Sequence, residues 1–139
     1  MQITAEAQRT QRLEKEESVE YCSTVRMEAR SCPGAWYTIT RMSLGRRIEL
    51  TKRIREISRK VEFLEAGNDV RERIEAATLA SEIDRLYLEW GLTGVQGLTI
   101  DGAPATPETV ASAGPEELCR EILAAIRAEC GLTEDERKN

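Results

Sequence analysis

Between residues 50 and 64 apolar side chains recur in steps of four, three, four and three: Leu50, Ile54, Ile57, Val61 and Leu64. At 100° per residue they share about 80° of arc, so the spacing predicts an amphipathic helix. Ser43 is placed to cap its start and Gly67 to follow its end, which bounds the helix at about 43–66. A break, Gly67-Asn68-Asp69, separates it from a second predicted helix running from about Asp69 to Trp90. There Leu79, Ile83, Leu86 and Trp90 form one stripe, while Val70, Ile74, Ala77 and Leu88 fall on a different arc. Two apolar arcs require cover on two sides, from the same domain or from a partner.

Elsewhere the period shortens. In "YCSTVRMEARSCPGAWYTIT" Val25 and Met27 alternate with polar neighbours, as do Tyr37 and Ile39. This predicts two short strands joined by a turn at Pro33-Gly34. Residues 91–106 are rich in glycine and turn formers, and Asp101-Gly102 is suited to a tight hairpin turn between "LTI" and "APA". Thr106-Pro107-Glu108 opens a short helical segment ending at Gly114. Pro115 opens another helix, with Leu118, Ile122, Ala125 and Ile126 on its apolar face, Glu116 and Glu117 in its first turn, and Gly131 as its stop. The predicted fold is α+β and predominantly helical: a short N-terminal β-hairpin, then a helical body of three main helices. Residues 21–131 form one globular domain, with a polar arm at 1–20 and a polar tail at 132–139.

Composition adds exclusions. Of 139 residues 40% are hydrophobic and only 4% aromatic, so the core must be aliphatic. No apolar run approaches the roughly 20 residues that cross a bilayer. The first 20 residues lack the apolar segment of a signal peptide, so a cytoplasmic protein is expected. There is no histidine, which removes the commonest general base and most catalytic zinc sites. Cys22, Cys32, Cys119 and Cys130 include no C-x-x-C pair. Cys119 and Cys130 lie roughly 16 Å apart along one predicted helix, too far to bridge. Buried reduced thiols are the expectation. "GLTGVQG" lacks the Gly-Lys-Ser/Thr of a phosphate loop. Trp36, Tyr37 and Trp90 read as packing residues. No catalytic, cofactor-binding or metal-binding residues are assigned, and no enzyme is expected.

Charge is the feature that stands out. Between Arg41 and Lys60, eight cations face only Glu49 and Glu56, leaving +6 on a chain whose net charge is −5. Arg46, Arg53 and Lys60 line one flank of the apolar stripe, seven residues apart, while Lys52, Arg55 and Arg59 lie roughly opposite it. Three readings fit: a solvated face, a docking surface for an acidic protein segment, or a nucleic-acid contact. The helix has no Asn, Gln, Tyr or Trp to read or stack bases, which weighs against nucleic acid.

The run Tyr37-Thr38-Ile39-Thr40, followed by "RMSLGRRIEL" from Arg41 to Leu50, resembles small tail assembly chaperones of long-tailed bacteriophages and prophages. "EIDRLYLEWGL" and "IDGAPATPETV" are similar to other small prophage proteins. The resemblance spans about residues 35–131. It implies a non-enzymatic protein that coats the helical tape-measure protein before the tail tube forms and is absent from the finished particle. Self-association is also expected, and a membrane partner is not. The candidate partner-binding residues are Arg46, Arg53, Lys60, Leu79, Ile83, Leu86 and Trp90. The rival readings are an adaptor that stays in the tail or head-tail joint, and a small nucleic-acid-binding regulator using the basic helix 46–60.

Overall fold

A computed structural model describes residues 18–67 and 69–131. The predicted arm, apart from residues 18–20, and the predicted tail at 132–139 lie outside the described residues. The fold is α+β and predominantly helical, opening on a short antiparallel β-hairpin.

Strand β1 (Thr24–Glu28) pairs antiparallel with β2 (Trp36–Thr40). The loop between them closes where Ala35 N–H donates to the Cys32 carbonyl at 3.0 Å, with Pro33 and Gly34 between and Gly34 at φ 92°. Proline ahead of a positive-φ glycine is the signature of a type II turn. Helix α1 (Leu44–Glu65) starts where the Ser43 hydroxyl accepts the Arg46 backbone N–H at 3.2 Å. Helix α2 (Val70–Gly91) starts where the Asp69 carboxylate accepts from Arg71 N–H at 3.0 Å.

α2 ends at Gly91, close to the predicted end at Trp90, and the chain passes directly into a third strand, β3 (Leu92–Gln96), which the sequence pattern does not predict. This glycine-bearing segment pairs antiparallel with β2, so the N-terminal hairpin becomes a three-stranded sheet in the order β1-β2-β3. The register slips between Thr38 and Ile39, leaving Thr93 as an extra residue whose hydroxyl donates to the Thr38 carbonyl at 3.2 Å. A second small ladder joins β4 (Thr99–Ile100) to β5 (Ala103–Pro104). Its turn is Asp101-Gly102, with φ 50° and 81°, the two left-handed residues that a tight primed turn requires. Helix α3 (Pro107–Ala113) carries a capping box between Thr106 and Thr109. Helix α4 (Glu116–Glu129) ends before Gly131 at φ 76°.

The core sits where α4 and the last turns of α2 cover the sheet. Ile39, Val110, Leu118, Ile122 and Ile126 are fully enclosed, with Tyr37, Leu88 and Leu92 beside them. Each such aliphatic side chain contributes about 1.5–3 kcal/mol relative to exposure. From α1 only Leu50, with Ile54 packed against it, reaches this core. The long helices therefore lean together as a hairpin that is rooted in the head and leaves it. Each has 22 residues, about 33 Å of helix.

The cysteines depart from expectation. All four are free thiols, but only Cys130 is buried; Cys22 is exposed, and Cys32 and Cys119 are half-buried. Cys22 precedes β1 in a stretch, residues 18–22, that no other element among the described residues covers, which is why burial fails there.

Candidate functional site

The helical hairpin is where the molecule shows apolar surface. Seven large hydrophobic side chains are strongly exposed among the described residues, and five belong to it: Leu44, Ile48 and Phe63 on α1, Val70 and Ile74 on α2. The cause is geometric. Among the described residues, beyond Ile57 on α1 and before Leu79 on α2 the helices have only each other to pack on, and Ala76 is the one fully buried residue there. Ile57, Val61, Leu64 and Leu79 are half-covered along the seam. Val70 and Ile74 point away from it and stay 67% and 63% exposed, while Leu88, on the same arc, is buried because it lies at the root.

The seven candidate partner-binding residues do not form one surface. Ile83 and Trp90 pack against the core of the head, and Leu86 is half-buried beside them. Arg46 is half-buried at the first turn of α1. Arg53 is exposed and forms an ion pair with Glu49 at 2.9 Å. Only Lys60 and Leu79 meet across the two helices. With Arg59, Phe63, Leu64 and Glu75 they line a shallow groove of about 350 Å³ between the helices near the tip.

A second hollow, about 360 Å³, lies at the root of α1. Leu50, Ile54 and Tyr87 form its floor, and Arg47 and Arg55 stand at its sides. Arg47 already has a structural task, since its guanidinium donates to the Cys130 carbonyl at 3.2 Å. That is a cation on the carbonyl end of α4, where the helix dipole favours it. Head and hairpin are tied again by the Arg127–Asp84 ion pair between α4 and α2, with the Arg127 guanidinium 5.2 Å from the Tyr87 ring centre.

α1 carries a second periodic row on its outer side, away from the Leu50 stripe. Leu44, Ile48, Lys52, Arg55, Arg59 and Phe63 step by four, four, three, four and four, and all six are exposed. On a 100° wheel they fill about 100° of arc almost diametrically opposite the Leu50 stripe. The spacing carries this signal, but Leu44, Ile48 and Phe63 are too widely separated among the cations to stand out as an apolar stripe. Among the described residues no ion pair occupies Lys52, Arg55 or Arg59.

Catalytic features are sparse. Among the described residues no group of three or more His, Cys, Asp or Glu side chains is placed to hold a metal ion. Burial pushes the Cys119 and Cys130 thiols above their ordinary pKa, the direction opposite to an activated nucleophile. Among the described residues no helix is long and apolar enough to cross a membrane. Compared with family models, curated proteins and solved structures, the chain matches none significantly.

Proposed function

We propose that this chain is a non-enzymatic assembly protein that holds a helical partner on its projecting hairpin, in the manner of a phage or prophage tail assembly chaperone acting on a tape-measure-like client. The observation that supports this most is the concentration of exposed apolar side chains on two long helices whose outer turns bury little but each other. An amphipathic partner helix laid against such a hairpin would complete its packing, the helix-in-groove mode of recognition. The phage setting rests on the resemblance of "YTITRMSLGRRIEL" and the two later segments.

The test is recovery of the tagged protein from nuclease-treated cells after prophage induction, with co-purifying proteins identified by mass. A long, helix-rich tail protein recovered in high yield supports the chaperone. Mature tail or head-completion proteins in its place would turn the reading to an adaptor that stays in the particle. If nucleic acid is recovered when nuclease is omitted, and no protein in either case, the chaperone reading fails.

A further inference from the structure

We infer that the exposed outer face of α1 from Leu44 to Phe63, whose Arg59 and Phe63 also border the groove beside α2, is a docking strip for an acidic amphipathic protein helix, apolar towards its two ends and acidic between them. This rests on the reading of the chain as a partner-binding protein and names the chemistry of that partner.

The strip has an ordered composition. Leu44 and Ile48 stand at the root end, 79% and 50% exposed, and Phe63 stands at the tip end, 78% exposed. Lys52, Arg55 and Arg59 occupy the turns between them, all exposed. From Leu44 to Phe63 is about 28 Å of helix, the length of some five turns of a partner lying alongside. Of the four acids of α1, Glu49, Glu56 and Glu65 fall outside the arc, and Glu62 stands at its edge. Three cations without ion pairs among the described residues therefore face outward together, on a chain of net charge −5. Leaving like charges together is unfavourable, and an acidic partner relieves it.

The apolar ends separate a protein partner from the other polyanions. A phosphate backbone would use the three cations but would gain nothing from Leu44, Ile48 and Phe63. A membrane surface would take apolar residues along the whole strip, whereas here the two central turns, Lys52 to Arg59, present only charge on this face. An acidic helix uses both, with apolar anchors setting the register at each end and charge steering the encounter.

The experiment is selection of a displayed library of helical 21-residue peptides on the wild-type protein, with parallel selections on two variants. One carries Lys52→Glu, Arg55→Glu and Arg59→Glu; the other carries Leu44→Ala, Ile48→Ala and Phe63→Ala. All six positions are exposed, and circular dichroism confirms that each variant folds. The expected winners have Asp or Glu in their central turns and apolar residues towards both ends. Their binding falls roughly tenfold or more on the charge variant and falls also on the alanine variant. No enrichment, enrichment of non-acidic peptides, or equal binding to the charge variant overturns the docking strip. So does retention of duplex DNA or anionic vesicles at about 0.15 M salt that the charge variant abolishes, if no acidic peptide is enriched. The library contains no phage protein, so its failure leaves the tail-chaperone reading standing, and failure to recover a tail protein from induced cells leaves the strip standing.

Discussion

Glu121 and Arg30 lie 91 residues apart, and both carboxylate oxygens of Glu121 accept the Arg30 backbone N–H, at 3.0 and 2.9 Å. The next N–H, of Ser31, donates to the same carboxylate at 2.8 Å. One side chain of α4 thus satisfies two successive amides in the loop between β1 and β2 and pins the sheet to the helix. Burial acts to raise the pKa of Glu121, but the two N–H groups and the Arg30 charge outweigh it and hold the carboxyl below its ordinary value.

Glu121→Gln should therefore destabilise the fold by about 1–2 kcal/mol near neutral pH, the range for hydrogen bonds to a charged acceptor after allowing for solvent screening. The sign of the pH dependence follows from the lowered pKa. The carboxylate stabilises the fold above the unfolded glutamate value of about 4.3 and loses that effect as pH falls through the lower folded value. Urea denaturation at a series of pH values should show wild type and variant converging below about pH 4. A gap that stays constant across the series would contradict this origin.

Gly91→Ala should destabilise, although alanine usually improves a helix. A Cβ at Gly91 would lie 2.8 Å from Ile126 Cδ1 and Cγ1 and 2.9 Å from Cγ2, and Ile126 is fully buried. Overpacking of this kind costs about 1–3 kcal/mol, more than the ~0.5–1 kcal/mol that alanine recovers over glycine. Ile126→Val removes one of the crowding atoms, so the double variant should be more stable than the sum of the single changes predicts. Strict additivity in thermal melts would place the cost elsewhere.

Thiol labelling of the native protein should proceed in a fixed order. Exposed Cys22 reacts first, half-buried Cys32 and Cys119 follow, and buried Cys130 reacts last. Burial raises the pKa of Cys119 and Cys130, with Glu116 adding to the effect at Cys119, so both are mostly thiol at neutral pH. Mass spectrometry of alkylated peptides reads the order directly. Early modification of Cys130 would mean that α4 opens readily from α1.

Hydrogen exchange should grade along the hairpin. Amides of the root, around Leu50 and Tyr87–Leu88, border the core, whereas the outer turns have only Ala76 fully buried. Protection should fall from root to tip, with exchange in residues 57–78 faster by an order of magnitude or more than in the last turns of α2. Uniform protection along both helices would imply that something covers the tip, and comparing dilute with concentrated samples would show whether that cover is a second copy.

Local rules determined much of this protein. Ser43, Asp69 and Thr106 cap their helices through hydrogen bonds that reach only two or three residues, so a few neighbouring letters suffice to place them. The Asp101-Gly102 turn and the Leu118-Ile122-Ile126 face of α4 are legible for the same reason: backbone preference and helical period act within one element. Tertiary structure decided the rest. Leu92–Gln96 holds a glycine and weak alternation, and it is a strand because β2 offers it a free edge. Val70, Ile74 and Leu88 share one arc of α2, yet two are exposed and one is buried, because the head reaches only the root of the hairpin. Periodicity tells which residues face the same way, and only the packed chain decides what, if anything, stands in front of them.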